Sequence, residues 1–191
     1  MRHNPYKIVQ LLEEELADYT GAPYVVSVDS CTNALFLSLK YNKINSSLIE
    51  IPCKTYLSVP QTILWSGNKP VFKDYNWSGF YKLGDTNIYD SAGRIAKKMY
   101  IKNTFMCLSF HLRKNIPIGK GGMILTDDKK AVETIKKLRY EGRTIGVSFQ
   151  DDDLGDGGWN MYMTPQQAAH GLSMMQNYPE HKEDLQELNG Y

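Results

Sequence analysis

The chain reads as an α/β domain with a largely parallel sheet, and three observations predict it. Short apolar runs of strand length alternate with amphipathic segments of helical period. Glycines punctuate the ends of several of these segments, as at Gly21 and Gly67. Residues able to do chemistry (Ser30, Asp90, Lys114) follow directly on strand-like runs, where open α/β sheets hold their ligands.

The elements follow in order. Over residues 6–19 the apolar positions Ile8, Leu11, Leu12, Leu16 and Ala17 recur at helical spacing with acids between them, predicting an amphipathic helix that stops before Gly21. A strand over 24–28 leads to a helix over 31–40, then a strand over 47–51 and a helix over 56–65 that stops at Gly67. Further strands are predicted at 70–73, 87–89, 105–110 and 123–126, with helices at 129–140 and 164–176. Two stretches break the rhythm. Residues 75–86 are rich in aromatics, Gly and Asp, and 147–158 carries Asp151, Asp152, Asp153 and Asp156 among glycines. The second resembles a calcium loop but lacks the closing Glu, so a mobile loop is expected.

Composition narrows the function. With 191 residues, 42% hydrophobic and 23% charged, the chain can fill one core, and a single domain over 1–191 is expected. The net charge of +1, scattered along the chain, argues against a nucleic-acid partner. Cys31, Cys53 and Cys107 have no metal-ligand spacing among themselves or with His3, His111, His170 and His181, and read as reduced, buried thiols. The N-terminus shows no signal-peptide pattern and no apolar run is long enough to span a membrane, so a cytoplasmic setting is expected.

Four features carry chemistry. Lys114 lies in the turn between the strands predicted at 105–110 and 123–126, within Ser109-Phe110-His111-Leu112-Arg113-Lys114-Asn115 and just before Gly119-Lys120-Gly121-Gly122. Burial and the neighbouring cations Arg113 and Lys120 would favour an uncharged amine able to form a Schiff base; a solvated hairpin with surface charges fits the same residues. Asp29-Ser30-Cys31-Thr32-Asn33-Ala34 presents backbone N–H groups and hydroxyls at a helix start, a seat for phosphate, although Ser30 or Thr32 could simply cap the helix. Tyr56, after Pro52-Cys53-Lys54-Thr55, offers a ring that could stack on a flat cofactor or merely pack. Asp90 stands at a strand end before small residues, where a buried carboxylate needs a cation: a protonated pyridine nitrogen, or Arg94. Together the four meet the requirements of pyridoxal phosphate.

The same segments resemble, in order, the DegT/StrS-type nucleotide-sugar aminotransferases, a branch of the fold-type I pyridoxal-phosphate enzymes. The resemblance runs through Ser30-Cys31-Thr32, Pro52 to Tyr56, Gly67 to Phe72, Asp90 to Ala92, Ser109 to Asn115 and Gly119 to Gly122. It continues in Gly158-Trp159-Asn160-Met161-Tyr162-Met163-Thr164 and Gln167-Ala168-Ala169. It implies a three-layer α/β/α large domain with a mostly parallel sheet, like that of aspartate aminotransferase. It further implies Lys114 as Schiff-base lysine and proton shuttle, Asp90 at the pyridinium, Tyr56 stacked on the ring, and Ser30, Cys31 through its backbone, Thr32 and Ser109 around the phosphate. His111 is expected to be structural. Asn160 would reach the site of a neighbouring subunit, giving a homodimer with shared active sites.

The implied activity is transfer of an amino group from an amino acid, with glutamate expected, to a nucleotide-linked keto-sugar in amino-sugar biosynthesis. Retention of the lysine favours transamination over the related dehydratase chemistry. The chain departs from the family at Gly93, where Gln is usual, at Lys120 for an acid and at Tyr162 for an arginine. It is also shorter between Asp74 and Asn87 and ends at Tyr191 without the family's small C-terminal domain, the marks of a trimmed member or a fragment. A catalytically inactive binding or regulatory homologue is the alternative. A dinucleotide site on Gly119 to Gly122 is disfavoured because a strand, not a helix, follows.

Overall fold

The computed structural model describes residues 4–155 and 157–185. Helix α1 (Lys7–Thr20) buries Val9, Leu12 and Leu16 on one stripe. It ends where Gly21 turns left-handed, φ 75°, and donates its N–H to the Ala17 carbonyl at 2.9 Å. Strand β1 (Tyr24–Val28) and helix α2 (Cys31–Tyr41) follow, then strand β2 (Leu48–Pro52), helix α3 (Ser58–Trp65) and strand β3 (Lys69–Lys73). The chain continues through β4 (Tyr81–Lys82), β5 (Ile88–Asp90), β6 (Phe105–Ser109) and β7 (Gly122–Thr126) to helices α4 (Lys129–Leu138) and α5 (Pro165–Met175). Asp128 caps α4 by accepting from the Ala131 N–H at 3.0 Å, and Thr164 with Gln167 forms a capping box at α5, whose first residue is Pro165.

The main sheet has the order β1-β7-β6-β5-β4, and β2 pairs with β3 in a second, two-stranded sheet. The expected parallel character is only partly present. Within the main sheet β5 and β6 pair in parallel, whereas β1·β7, β7·β6 and β5·β4 are antiparallel. The cause is connectivity: β7 returns from β6 as a hairpin and inserts beside β1, and a short hairpin adds β4. Because the reversals at β7 cancel, β1, β5 and β6 still run in one direction and deliver Asp29, Asp90 and Ser109 to the same rim.

Side chains alternate across the sheet. Val26, Val28, Phe105, Cys107 and Ile124 pack under α2 and α4, while Val25, Met106, Leu108, Met123 and Leu125 pack under α1 and α5. Three layers result, and β6 and β7, buried on both faces, read in sequence as unbroken apolar runs. One expectation needs correction: Cys53 is exposed rather than buried, because it lies just past the end of β2. Strand β4, two residues inside the aromatic stretch 75–86, was not predicted. In the acidic loop, Asp151 accepts from the Ser148 hydroxyl and Asp152 from the Thr144 N–H, both at 2.6 Å, and Asp153 meets Lys137; Asp156 lies outside the described residues.

A buried charge network ties the outer layers to the sheet. Glu13 on α1 accepts from Arg139 Nη1 at 2.8 Å, from Lys136 at 2.9 Å, and from both the N–H and the hydroxyl of Ser27 on β1 at 2.9 Å. Desolvation pushes the Glu13 carboxyl upward, but Arg139, Lys136 and Ser27 outweigh it and hold the group below its ordinary value. Glu13→Gln leaves the Arg139 guanidinium buried without its countercharge, so a loss of about 3–5 kcal/mol is expected in urea unfolding at neutral pH. A lowered native value means this contribution is present above the unfolded value and is lost as pH falls through the native one. The variant's deficit should therefore shrink in acid.

Candidate active site

Three strand ends and two helix starts enclose a cavity of about 400 Å³ lined by Ser30, Cys31, Thr32, Tyr56, Ser58, Asp90, Ser109 and Lys114 among others. That volume lies in the range of small-molecule and cofactor sites, about 300–1,000 Å³. Ser30 ends the β1 turn in extended conformation and caps α2, accepting from the Asn33 N–H at 3.2 Å. The capping role and the phosphate seat are compatible, because the first-turn N–H groups of Cys31 and Thr32 have no intrahelical acceptor and border the cavity. Gly122 lets this turn sit against β7: a Cβ there would fall 2.6 Å from the Cys31 nitrogen.

Asp90 ends β5 and is only 6% exposed. It is not paired with Arg94, which turns to Asp184 instead. Its Oδ1 accepts from the Ala92 N–H at 3.0 Å and its Oδ2 from the Tyr81 hydroxyl at 3.0 Å; the Cys31 thiol lies 3.9 Å from Oδ1. Burial pushes the carboxyl up from its ordinary value, opposed by the Ala92 N–H, Tyr81, the charge of Lys114 and Cys31. Burial and the neighbouring carboxylate likewise raise the Cys31 thiol, so it stays protonated near neutrality.

Lys114 reaches the cavity from the loop between β6 and β7, half-buried rather than displayed on a solvated hairpin. A turn holds it in place, its N–H bonding to the His111 carbonyl at 2.9 Å, while His111 Nδ1 lies 3.4 Å from the Arg113 nitrogen. The neighbouring cations do not converge on its amine as expected: Lys120 is bound to Asp29 at 2.7 Å, and Arg113 is exposed.

Seven of the eight expected site residues thus line one cavity: Ser30, Cys31, Thr32, Tyr56, Asp90, Ser109 and Lys114. Asn160 does not. It is exposed, bridges to Tyr140, and donates from Nδ2 to Glu141 at 3.2 Å. The Thr32 hydroxyl meets Ser58 at 2.8 Å, a partner that sequence reasoning missed although a serine opening a predicted helix is a usable signal. Tyr81 was missed because two residues carry no periodicity. The departures also find physical accounts. A side chain at 93 would strike the Gly79 carbonyl at 2.8 Å, so the neighbouring backbone leaves room there for glycine alone. Tyr162 joins Tyr6 and Tyr140 in an edge-on ring cluster with centroids 5.0–6.1 Å apart.

A three-layer α/β/α domain with a lysine loop, a buried carboxylate and a helix N-terminus around one rim cavity defines an α/β protein with a small-molecule site beyond the ends of its strands. The chain belongs to the DegT/DnrJ/EryC1/StrS aminotransferase family, which it matches over residues 2–81 and 93–189. It is 26% identical over 233 residues to the spore coat polysaccharide biosynthesis protein SpsC of Bacillus subtilis, covering 95% of this chain and 60% of that protein. It is 21% identical over 229 residues to the UDP-4-amino-4,6-dideoxy-N-acetyl-beta-L-altrosamine transaminase of Campylobacter jejuni, covering 97% and 61%. A Streptococcus pneumoniae chain described as a sugar aminotransferase, solved in its PMP form, superposes with a TM-score of 0.75 at 20% identity, covering 90% of this chain and 59% of that one. The chain therefore spans about three-fifths of the length of these relatives.

Two outcomes follow from the site as built. An Asp90 carboxyl raised by folding favours the native state while protonated, and that contribution is lost as pH rises through the native value. Without cofactor, wild type should lose stability relative to Asp90→Asn as pH rises above the ordinary carboxylate range, measured by urea unfolding at a series of pH values; parallel profiles would contradict it. Gly122→Ala should cost about 1–3 kcal/mol in the same assay, because β7 and the Ser30 turn cannot both keep their positions.

Proposed function

We propose that this chain acts as a pyridoxal-phosphate-dependent aminotransferase domain, moving an amino group from an amino acid, glutamate, to a nucleotide-linked keto-sugar. The observation that carries the reading is the convergence of Lys114, Asp90 and the Ser30–Thr32 turn on one cavity. The residues present fit the group: a deeply buried carboxylate under electrostatic strain awaits a cation, and open helix N–H groups await an anion on the same rim. The keto-sugar and its nucleotide come from the resemblance and from what the transaminase relative is named for.

When bound, pyridoxal phosphate supplies an electrophilic carbonyl carbon and a ring that withdraws electrons from an adjacent carbanion. Lys114 Nζ would form the covalent attachment and, once released by the amino donor, move a proton from the donor's α-carbon to the cofactor's carbonyl-derived carbon; with the keto-sugar it would move one in the opposite sense. Asp90 would keep a ring nitrogen protonated through its ionised carboxylate. The N–H groups of Cys31 and Thr32, with the hydroxyls of Ser30, Thr32 and Ser109, would hold the phosphate. Tyr56, 44% exposed at the cavity mouth, would cover the ring and limit water. Asn160, turned outward, would serve a second protomer's cavity in a homodimer with shared sites.

The purified chain given pyridoxal phosphate should develop a visible absorbance that borohydride bleaches, leaving a pyridoxyl mass on the Lys114 peptide. Lys114→Ala should abolish both. Glutamate should discharge the absorbance and release 2-oxoglutarate. Cofactor uptake without 2-oxoglutarate would instead mark a non-catalytic binding homologue, and no adduct at Lys114 would remove the reading altogether.

A further inference from the structure

The β4–β5 hairpin carries a residue with no assigned role. β4 and β5 pair antiparallel with Tyr81 directly opposite Asp90, so the two side chains share one sheet face. The turn that fixes this register is closed by Leu83 N–H to the Ile88 carbonyl at 2.9 Å and Thr86 N–H to the Leu83 carbonyl at 3.1 Å. Tyr81 is 5% exposed, and its hydroxyl contacts Asp90 Oδ2 at 3.0 Å and Thr55 Oγ1 at 2.5 Å. A phenol has one proton; if it is given to the carboxylate, Thr55 must donate to the phenol oxygen. The ring is braced by Trp77, 4.8 Å away edge-on, whose indole N–H bonds the Lys54 carbonyl at 2.7 Å. The family match runs through Tyr81 and resumes at Gly93, so Tyr81 closes the first matched segment and Asp90 lies between the two.

We propose that Tyr81, backed by Thr55, is a positioning residue that orients the Asp90 carboxylate into the cavity and stabilises its charged form. The purpose rests on the cofactor reading above; the contact itself does not. A carboxylate held by one backbone N–H could swing about its Cα–Cβ bond, whereas a second, buried donor on the other oxygen fixes its plane. The groups facing Asp90 are Tyr81 from β4, Cys107 from β6, Cys31 from α2, Lys114 from its loop and the Ala92 N–H. Of these, Tyr81 and the Ala92 N–H are the donors within 3.0 Å.

The test is a carbon-13 titration of the Asp90 carboxyl in the cofactor-free chain, assigned with Asp90→Asn, alongside fluorescence titration with pyridoxamine 5′-phosphate. Tyr81→Phe should move the carboxyl midpoint to higher pH and weaken pyridoxamine phosphate binding about tenfold, the effect of losing one hydrogen bond to a charged group. Thr55→Val should move both in the same direction by less. A folded Tyr81→Phe protein with an unmoved midpoint overturns the proposal. Should Tyr81→Phe fail to fold, Thr55→Val at its half-buried position decides, and an unmoved midpoint there overturns it equally. If wild type binds no pyridoxamine phosphate, the cofactor reading falls while the carboxyl titration still decides the role of Tyr81.

Discussion

Asp90 brings a carboxyl group to a place with almost no solvent, and an ionised carboxylate there must be matched by donors or cations. Everything nearest to it answers that demand in part. The Ala92 N–H and the Tyr81 hydroxyl take one oxygen each, and Lys114 contributes charge from across the cavity. These do not fully offset burial, since the carboxyl remains raised. The imbalance gives the cavity a direction: its floor favours a positive group, while the start of α2, with open N–H groups, favours a negative one. A flat molecule bearing a cation at one point and a phosphate at another fits both ends.

The segment between Asp74 and Asn87 also shapes the rim. The backbone at Gly79 closes on residue 93, where the Gly93 N–H bonds the Gly79 carbonyl at 3.0 Å. The Gly93 carbonyl in turn accepts from the Leu185 N–H at 2.9 Å, and Arg94 is held by Asp184. A side chain at 93 therefore has no room. The same segment brings Tyr81 beside Asp90, so it closes off position 93 while supplying a polar side chain to the site.

Most of the frame was legible because its signals are local. Strand β1 was marked by its apolar run, and α1, α4 and α5 by their helical period, while the caps Asp128 and Thr164 emerge only in the structure. The site lysine and aspartate were legible because strand ends in α/β sheets carry ligand-facing residues. Strand direction was not. Whether β7 runs with or against β6 depends on how a twelve-residue loop packs, about which periodicity is silent. The ion pair of Lys120 with Asp29 likewise depends on a neighbour distant in sequence, exposure of Cys53 on where β2 ends, and the Tyr81 contact on a register that a one-residue slip would reverse.

Asn160 shows how the frame constrains a residue that the cavity does not use. Its neighbour Met161 accepts from the Asp29 N–H and donates to the Arg139 carbonyl, both at 2.9 Å. Met161 thus ties the Asn160 segment both to the turn that seats Ser30 and to the helix end where Arg139 meets Glu13. Moving the Asn160 backbone toward its own cavity would break those bonds. Under the shared-site reading, that rigidity is what a two-fold partner requires, because a reciprocal contact works only if each protomer offers its amide at a fixed distance from its own phosphate seat. The buried network around Glu13, remote from the cavity, would then govern how accurately two sites complete each other.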